Sequence, residues 1–588
     1  MNKLDGFQVY AFFHAGSQRI NASREYIDRI NVFPVPDGDT GTNLSATLSQ
    51  ALAATVPVNS ASITLGNLAA HAQQRAYGNS GVIFSQFVSG LSEAVQSAEM
   101  YTQEFVSGVR RAYQRAKSAV STPRDGTILS VIEDWASSLA RYNHTFQNFA
   151  ELIGATRPDL RASLAGTTER LQELKDAGVV DAGAAGFIEF VEGGHDFLLS
   201  GHYDEAIYTH EAHLAIPFSG EHDAGRFTKP SYRYCTEAVI EATSLDAEDI
   251  RAVLKDAGDC LIVGVGKKHT KVHVHTDTPS KVMSDLGEFG PVVAQKADDM
   301  LIQFADAHDR RAKTAIVTDS SCDLPADLIL KHRIHAVPIL ISTGKSEYLD
   351  KITMDAAALR KLADQKGIFP RTSQPPNPFF SRLFSNLSSF YDDVLAIHLA
   401  GTMSGTLAAS QREAEKSEGK VVSVDSRHLS GSLGLLVLRA AEAAEEGMNR
   451  AEILSNLDEW SSKARIFVSV SSLRYMVKGG RVSPLKGKLA SVLNLKPIVS
   501  VDETGKSILY GKAFSEAANL RKIVAMAVQQ HAKLPLRCYA IGHSGALENA
   551  KKVAAMMEKE IGFPPLYIDE ISAVVALNAG PGPYRSSP

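Results

Sequence analysis

The sequence predicts a multidomain fold, with an all-α N-terminal region, a small α/β middle domain and a larger α/β C-terminal domain. Three observations lead to this prediction. The chain has 588 residues, which is too many for one hydrophobic core and suits three or four domains. Apolar residues recur near every 3.6 positions through residues 1–203, and strand-like alternation is almost absent there. From residue 231 onward strand and helix patterns alternate, which favours sheets covered by helices.

The composition is that of an ordinary globular protein, with 44% hydrophobic and 22% charged residues. A net charge of −5 gives no general reason to bind nucleic acid, so no nucleic-acid partner is expected. The four cysteines are scattered, which is unlike a disulfide framework and typical of a reducing cytoplasm. We find no signal-peptide core at the start and no apolar run of the ~18 residues that a membrane span needs. A cytoplasmic location is therefore expected.

The N-terminal domain is expected over residues 1–203. The periodicity predicts helices at residues 3–30, 43–54, 62–76, 80–98, 102–120, 127–142, 147–152, 157–177 and 184–199. A loop at 31–43 reads Asn-Val-Phe-Pro-Val-Pro-Asp-Gly-Asp-Thr-Gly-Thr-Asn, in which Asp37 and Asp39 flank a glycine. Clustered carboxylates on a stiff, glycine-containing loop suit Mg²⁺, which prefers oxygen ligands and shares them with phosphates. The side chains then available to phosphate oxygens are Thr40, Thr42 and Asn43. The alternative is an ordinary Asp-Gly turn.

Three glycine-rich joints come just before predicted helices, at 78–81, 125–127 and 181–186. A helix N-terminus offers unpaired N–H groups and a positive dipole end, which attract phosphate. The candidate phosphate contacts at the first two joints are Asn79, Ser80, Gly81 and Thr127. Asp181 and Gly183 mark a helix break that would let adenine or ribose approach closely. The alternatives are plain helix capping for the first two joints and a plain turn for the third.

Taken in order, these strings resemble one family pattern. It consists of the 31–43 loop, Arg-x-x-Gly-Asn-Ser-Gly-Val-Ile-x-Ser-Gln at 75–86, Gly-Thr-Ile-Leu at 126–129 and Gly-Val-Val-Asp-Ala-Gly at 178–183. The N-terminal domain is similar to DhaL-type kinase domains, the ATP-binding half of dihydroxyacetone kinases, and specifically to the fatty acid kinase branch. The resemblance implies an antiparallel helical barrel that binds ATP through two Mg²⁺ ions. The dihydroxyacetone branch has a third aspartate upstream, and its nearest counterpart here is Asn31.

A linker is expected over residues 204–230, followed by a middle domain over 231–308. Strands are predicted at 232–242, 258–266 and 269–275, and helices at 246–256 and 279–289. The alternation of 271–277 puts His273 and His275 on one face of a strand, and Cys235 lies on another strand. These side chains either form a Zn²⁺ site with an open position or are two histidines beside a buried cysteine. The segment resembles the middle domain of bacterial fatty acid kinases, which implies the metal site and a role in dimerisation.

The C-terminal domain is expected over residues 312–588. Strands are predicted near 313–318, 335–341, 393–399, 420–424, 465–470 and 538–543, and helices near 352–365, 378–388, 404–417, 429–446 and 450–464. This order favours a mainly parallel sheet with ligands at the carboxyl ends of its strands. Three loops at or beside such ends present hydroxyls or an imidazole and little charge, which suits a carboxylate with an apolar slot beyond it. Their candidate residues are Thr372, Ser373, Ser404, Gly405 and His543. The alternative for each loop is a capping or turn role.

With the strings at 318–325, 424–426, 473–481 and 493–497, these loops resemble the DegV family of fatty-acid-binding proteins. The resemblance implies that Thr372 and His543 bind the acyl carboxylate, with Ser404 and Ser373 beside them. The chain departs from the family at Ala400-Gly401, where paired serines are common, and at 578–582. A basic run beside the Gly-Gly-Arg motif is either solvated surface or a docking face for the acidic kinase loop or anionic lipid. It consists of Lys478, Arg481, Lys486 and Lys488.

The three resemblances together imply a fatty acid kinase fused to its lipid-binding partner, which converts ATP and a fatty acid to acyl phosphate and ADP. The expected partners are a fatty acid, ATP, an enzyme that accepts the acyl phosphate, a transient membrane surface and a second copy of the chain. Three alternatives remain open at this point. They are a kinase for dihydroxyacetone, a kinase for another carboxylic acid, and a non-catalytic protein that binds or senses lipid.

Overall fold

The computed structural model describes residues 1–33, 38–202, 229–241, 245–266, 268–363, 370–470, 473–481 and 495–579. The chain divides into two compact units, Met1–Phe304 and Ala305–Pro588, and each is described by itself. Within the described ranges, no helix combines the length and the apolar character that crossing a membrane requires.

The first unit begins with a helical region, as the sequence predicts. Its helices are α1 (Gly6–Ala22), α2 (Arg24–Arg29), α3 (Thr40–Ala54), α4 (Ala61–Gln74), α5 (Gly78–Ala94), α6 (Thr102–Ala119), α7 (Ile128–Tyr142), α8 (Phe149–Arg170), α9 (Gln172–Ala177) and α10 (Ala182–Ser200). The strands β1 (Lys3–Leu4) and β2 (Met100–Tyr101) form a short antiparallel pair. The α1 helix begins at a capping box, in which the Asp5 carboxylate accepts the Gln8 N–H at 2.9 Å.

The helical core is built on aromatic rings that meet edge to face. Phe84 and Phe190 lie 5.0 Å apart between ring centroids, and Trp135 and Phe187 lie 5.5 Å apart. Glycine allows α1 and α10 to approach closely, because a Cβ on Gly193 would lie 2.5 Å from the Ala15 carbonyl oxygen. This core orients the N-termini of α3, α5, α7 and α10, which carry most of the predicted nucleotide contacts.

Three predicted helix boundaries are wrong, and one of these errors is that the expected helix over 157–177 is interrupted at Leu171, between α8 and α9. The expected single helix over 3–30 is broken at Ser23, which ends α1 and precedes α2. The expected break between 152 and 157 does not occur, because α8 runs through this segment and through Pro158 without interruption. The buried side chains Leu152, Ile153 and Leu160 keep both halves of α8 on one core-facing stripe.

The rest of the first unit is an antiparallel sheet with helices. The strands β3 (Tyr234–Glu241), β4 (Asp259–Val265), β5 (His269–Thr276) and β6 (Val292–Asp299) pair in the order β4-β5-β3-β6. The helices are α11 (Ala247–Leu254) and α12 (Pro279–Gly287), and α13 (Met300–His308) begins in the first unit and ends four residues after its last residue, Phe304. The sequence analysis missed β6 and α13. The sheet packs on the helical region through β4, where Ile262 joins the helical core and the Gly264 carbonyl accepts from Gln73 Nε2 at 3.1 Å.

The second unit contains the predicted parallel sheet, but the sheet is smaller than expected. Its strands are β7 (Thr314–Asp319), β8 (His335–Val337), β12 (Asp393–His398) and β13 (Val421–Asp425), in the order β13-β12-β7-β8. Three smaller sheets join it, and two of them are antiparallel. They contain β9 (Leu340–Thr343), β10 (Ser346–Leu349), β11 (Arg371–Ser373), β14 (Val468–Ser469), β15 (Lys496–Val501), β16 (Ser507–Ala513), β17 (Ile541–His543) and β18 (Ile568–Glu570). The expectation of one mainly parallel sheet is corrected to a parallel core with separate ribbons.

Helices cover these sheets, and residues of several of these helices line a cavity. They are α14 (Ala326–Lys331), α15 (Ala356–Ala363), α16 (Asn377–Phe390), α17 (Thr406–Ala414), α18 (Ser430–Glu445), α19 (Arg450–Lys463), α20 (Arg474–Lys478), α21 (Glu516–Lys533), α22 (Leu547–Ile561) and α23 (Ala573–Ala579). The apolar side of α16 packs against the parallel sheet through Phe380, Phe384 and Leu387. The sequence analysis missed α21, α22 and α23.

Candidate functional site

The predicted Mg²⁺ loop leads directly into α3. Asp37 lies outside the described residues, as do residues 34–36. Gly38 has a φ of +64°, a left-handed conformation that favours glycine, and Asp39 is the residue before the first turn of α3. Asn31 is buried at the other end of the loop.

A further carboxylate, which the sequence analysis missed, lies at this site. Asp28 on α2 accepts the Thr42 backbone N–H at 3.0 Å and the Thr42 hydroxyl at 2.7 Å. Burial raises the pKa of Asp28 to about 6, although the Thr42 hydrogen bonds lower it, and the nearby Asp39 charge raises it further. Asp28 is therefore an acidic neighbour of Asp39. The missed signal was its position in the last turn of the preceding helix, three residues before Asn31.

The first turns of α3 and α5 meet at this site. Thr40 Oγ1 and Ser80 Oγ lie 3.4 Å apart, within hydrogen-bond distance. Gly78 has a φ of +60°, and a Cβ there would overlap the Asn43 side-chain amide. The Asn79 Oδ1 atom is buried and makes no hydrogen bond to any described residue. A Cβ on Gly81 would overlap the Thr47 hydroxyl, so this glycine allows the close approach of the two helices.

The other two predicted nucleotide joints also meet each other, at the first turns of α7 and α10. Thr127 precedes α7, and its hydroxyl donates to the Arg124 carbonyl at 2.9 Å. The Asp181 carboxylate caps α10 by accepting the Ala184 N–H at 2.7 Å, and burial raises the pKa of Asp181 to about 6. A Cβ on Gly183 would lie 3.3 Å from the Ile128 Cβ. Asp181 acts as a helix cap, whereas the Thr127 hydroxyl makes no capping hydrogen bond to α7, and the nucleotide roles of both residues stay predictions.

Three predicted metal ligands of the middle domain come together. One ligand atom from each of Cys235, His273 and His275 lies within 4.8 Å of the others. The register of β3 and β5 places Cys235 opposite His275, and the two imidazole rings are 5.1 Å apart. Both ring nitrogens of His273 are buried and make no hydrogen bond to a described residue. One thiol and two imidazoles are a donor set that fits Zn²⁺ with a fourth position open.

Electrostatics link this cluster to the Mg²⁺ loop. Burial raises the pKa of the Cys235 thiol well above its usual range, the Lys296 charge lowers it, and the negative charges of Glu237, Asp298 and Asp39 raise it. Burial lowers the pKa of His273, which favours the neutral imidazole that a metal ligand requires. Asp39 is thus close enough to Cys235 to affect its ionisation.

In the second unit, the predicted carboxylate contacts line one cavity of about 1120 Å³. The contacts that line it are Thr372, Ser373, Ser404, Gly405 and His543. Ser404 follows the carboxyl end of β12, and Ser321, which follows β7, lines the same cavity. The ligand position at the carboxyl ends of parallel strands is the one that this class of fold favours.

Two polar residues that line the cavity, His543 and Ser544, have buried side-chain atoms that lack partners. His543 Nδ1 and Ser544 Oγ are buried and make no hydrogen bond within the described part of the chain. The His543 loop is fixed by its backbone, because Ile571 N donates to the His543 carbonyl at 2.9 Å and Gly545 N donates to Glu570 Oε1 at 2.9 Å. Gly545 has a φ of +64° at this turn. The sequence analysis named this loop but missed Ser544 as a ligand, since a lone serine beside a glycine is common in turns.

The loop that contains Ser404 is stabilised by hydrogen bonds of its own hydroxyl groups. Ser404 Oγ lies 2.8 Å from Thr406 Oγ1 and accepts the Thr406 N–H at 3.2 Å. A Cβ on Gly405 would overlap the Gln374 amide, so glycine allows this side chain, which also lines the cavity, to lie against the loop. Thr372 is the middle residue of β11 and pairs with Ile341 of β9.

Apolar side chains form much of the remaining wall. They include Leu436, Val470, Met476, Ile523, Val553, Met557 and Val574. Charged side chains line the cavity as well, and Arg439 and Lys463 among them form ion pairs with Glu446 and Glu459. Arg481 of the predicted basic run also lines the cavity, whereas Lys486 and Lys488 lie outside the described residues.

Comparisons with known proteins divide the chain in the same order. Family models match the DAK2 domain at residues 34–196, the FakA-like middle domain of fatty acid kinases at 231–307, and the DegV family of uncharacterised proteins at 313–584. Similar sequences include uncharacterised proteins from Staphylococcus saprophyticus, 29% identical over 320 residues, and Staphylococcus haemolyticus, 30% identical over 314 residues. Each match covers 51% of this chain and 56% of the relative, so the chain spans about half the length of these curated relatives.

Similar solved structures include a DegV family protein from Thermus thermophilus described for its fatty acid binding, at 27% identity and a TM-score of 0.40. DegV from Bacillus subtilis, a fatty acid binding protein, is 25% identical with a TM-score of 0.43. Each match covers 46% of this chain and 96% of the solved chain. The family assignments predicted from the motifs are confirmed by the family models. The chain joins a DAK2 (DhaL-type) domain, a FakA-like fatty acid kinase middle domain and a DegV family domain in one polypeptide.

Proposed function

We propose that this protein is a fatty acid kinase, which transfers the γ-phosphate of ATP to a fatty acid carboxylate and releases acyl phosphate and ADP. The observation that carries the proposal is the polar end of the cavity, where His543 Nδ1 and Ser544 Oγ have no hydrogen-bond partner among the described residues. Buried polar atoms of this kind are costly unless a ligand satisfies them. A carboxylate with an apolar tail would satisfy these atoms and fill the apolar part of the cavity.

The DegV domain would hold the nucleophile. A fatty carboxylate is already ionised near pH 7, so the transfer needs no general base. One carboxylate oxygen forms a bond to the γ-phosphorus while the bond from that phosphorus to the bridging oxygen of ADP breaks. Thr372, Ser404 and His543 would orient the carboxylate through hydrogen bonds, with Ser373 and Gly405 completing the loops.

The DAK2 domain would bind the nucleotide. Asp39, Asp28 and Asn31 fit the oxygen ligands that Mg²⁺ prefers, together with Asp37 outside the described residues. When bound there, Mg²⁺ neutralises charge on the phosphates. Asn79, Ser80 and the N–H groups at the start of α5 would position the phosphate oxygens, and Thr40, Thr42 and Asn43 would face them from α3.

The middle domain would contribute a Zn²⁺ site at Cys235, His273 and His275. We also propose that the chain acts as a homodimer in the cytoplasm and passes its acyl phosphate to a separate acceptor enzyme. These last points follow from the family resemblance.

The experiment that tests the proposal measures ADP release from ATP and Mg²⁺ in the presence of oleate or palmitate, with hydroxylamine to trap acyl phosphate as hydroxamate. Fatty-acid-dependent hydroxamate is the expected result. Asp39→Asn should abolish turnover and preserve lipid binding, whereas His543→Ala should weaken lipid binding and preserve ATP binding. Asp196→Asn, an exposed carboxylate on α10, is the matched control for Asp39→Asn and should have no effect on turnover.

Two other outcomes would overturn the proposal. Tight lipid binding without ADP release would indicate a lipid sensor whose ATP site serves regulation. Turnover with dihydroxyacetone and none with fatty acid would indicate a kinase for a small hydroxy-ketone.

A further inference from the structure

A buried glutamate in the middle sheet contacts both candidate sites of the first unit. Glu237 lies on β3, two residues after Cys235, and is 1% exposed. Its Oε1 atom accepts the Gly78 N–H at 2.6 Å, and its Oε2 atom accepts from Lys271 Nζ at 2.6 Å. The same Oε1 atom lies 3.6 Å from His273 Nδ1. One carboxylate therefore touches the first residue of α5 and faces a candidate metal ligand.

The ion pair with Lys271 does not account for the contact with α5. A buried carboxylate has acceptor capacity beyond what one ammonium group uses. The partner is instead a backbone N–H 159 residues earlier in the chain. The Gly78 N–H is one of the first N–H groups of α5, which have no partner within the helix. Groups of this kind bind phosphate at other helix N-termini.

Gly78 has neighbours on both sides. Glu237 holds its N–H, while the Asn43 amide lies so close that a Cβ at position 78 would overlap it. Asn43 in turn donates its backbone N–H to the Asp39 carbonyl at 2.8 Å. A displacement of Glu237 would therefore shift Gly78 and, through the contact of Gly78 with Asn43, the Mg²⁺ loop.

On the metal side, both histidines have a carboxylate near Nδ1. His273 faces Glu237 at 3.6 Å, and His275 Nδ1 lies 3.2 Å from Asp259 Oδ1. A carboxylate within hydrogen-bond distance of a metal-binding histidine, as Asp259 is of His275, fixes the tautomer and the ring orientation and leaves Nε2 for the metal. At 3.6 Å the contact of Glu237 with His273 is longer than a hydrogen bond, so Glu237 acts on this ring through its charge. The arrangement would let a metal ion at the cluster hold His273, and through it Glu237, in one position.

We infer that Glu237 is a positioning residue that couples zinc binding at Cys235, His273 and His275 to the phosphate-binding start of α5. The inference rests on the proposed function for the identity of the ATP site. The coupling is reciprocal, so zinc increases the affinity for ATP by the same factor by which ATP increases the affinity for zinc. For a contact of this kind we expect a factor of about ten, within the usual range for linked sites.

The first test needs no nucleotide. Hydrogen exchange of peptides covering residues 77–84 is measured in the full chain, with zinc removed and with zinc restored. Zinc should slow exchange at the start of α5 at least threefold, about the smallest change that such a comparison separates clearly. In Glu237→Gln this protection should disappear, although zinc still binds. If zinc leaves the exchange of these peptides unchanged in the natural sequence, the inference is wrong.

The second test measures the dissociation constant of ATP with and without zinc, and that of zinc with and without ATP. The two ratios should agree near tenfold in the natural sequence and fall below twofold in Glu237→Gln. Glu192→Gln is the matched control, because Glu192 is equally buried and ion-paired, with Arg157 and Arg161, on α10. It should retain the full coupling, and equal loss of coupling in both variants would overturn the inference.

A second variant and a comparison with the hydroxamate assay distinguish failure of the coupling from failure to fold and from failure of the proposed function. If Glu237→Gln does not fold, the double variant Glu237→Gln with Lys271→Met removes both members of the ion pair and takes its place. Zinc protection of α5 without any formation of acyl hydroxamate would support the coupling and refute the fatty acid kinase. Acyl hydroxamate formation with no zinc effect on α5 would do the reverse.

Discussion

Asp350 provides a quantitative test of the second unit. Its carboxylate is fully buried, and its Oδ1 accepts the Val574 N–H at 3.1 Å at the start of α23, a helix that lines the cavity. Burial raises the pKa of Asp350 from 3.8 to about 7. The perturbation we propose is Asp350→Asn, which keeps an oxygen to accept the Val574 N–H and removes the ionisable group.

The sign of the effect follows from the direction of the shift. Below pH 4 the carboxyl is protonated in both the folded and the unfolded chain, so it adds no pH dependence. Between pH 4 and 7 the unfolded chain loses this proton while the folded chain retains it, so the folded state loses stability as pH rises. Each pKa unit corresponds to ~1.36 kcal/mol, so the difference between 3.8 and about 7 amounts to about 4 kcal/mol above pH 8, of which about 2 kcal/mol is already present at pH 5.

The assay uses the two tryptophans of the chain, Trp135 in the first unit and Trp460 in the second. In a Trp135→Phe background, denaturant unfolding followed by fluorescence reports on the second unit through Trp460. Asp350→Asn should stabilise this unit by about 2–3 kcal/mol more at pH 8 than at pH 5. An effect of the substitution that is the same at both pH values would refute the assignment of a raised pKa to Asp350.

Three other predictions concern the candidate sites. His543→Ala should weaken fatty acid binding about 10- to 100-fold, since it removes a hydrogen bond to a charged group worth ~1.5–3 kcal/mol, and displacement of a fluorescent fatty acid measures this. Unchanged affinity would remove His543 from the site. Gly78→Ala should reduce ATP affinity at least about tenfold, because alanine is strained at a φ of +60° and its Cβ overlaps Asn43. Gly287→Ala, which has open space around it, should have no effect on ATP titrations. Cys235→Ser should lose the zinc that the natural sequence retains through gel filtration, as measured by elemental analysis, and equal zinc content would contradict the proposed ligand set.

The helical fold was the most predictable part of the molecule, because periodicity reports directly on which face is buried. The errors in the predicted helix boundaries have local causes. A break was expected between 152 and 157, yet α8 continues through this segment and through Pro158, because the buried stripe on either side provides more stability than the one hydrogen bond lost at the proline. Most strands of the ribbons around the parallel sheet were missed, although β14, β17 and part of β9 fall within predicted strands. β10 and β11 are only four and three residues long, and such short strands carry too little alternation to separate from loops.

The candidate sites, like the fold, could be predicted only in part from the sequence. His273 and His275 could be placed on one strand face from alternation alone, but their approach to Cys235 depends on the pairing of β3 with β5, which only the fold specifies. The third acidic position illustrates the limit of motif reasoning. The resemblance pointed to Asn31, whereas the structure adds Asp28, which the turn between α2 and the loop brings to Thr42. The loops at the polar residues of the cavity and an apolar slot beyond them were predicted, but the residues that form the apolar wall were not, because they come from helices far apart in the chain.

The proposed carboxylate ligands in the cavity are hydroxyls and an imidazole, and the proposed phosphate transfer offers a reason for this choice. An arginine would bind a carboxylate more tightly through two charge-assisted hydrogen bonds, but it would also neutralise the negative charge of the attacking oxygen. Hydrogen bonds from Thr372, Ser404 and His543, which line the cavity, would orient the oxygen at a smaller cost to its nucleophilicity. Cations would then be needed on the other reactant, at the phosphates, where Mg²⁺ and the helix N-termini supply positive charge. In the proposed reaction the DegV domain would hold a nucleophile that remains anionic, and the DAK2 domain would neutralise the phosphate group that it attacks.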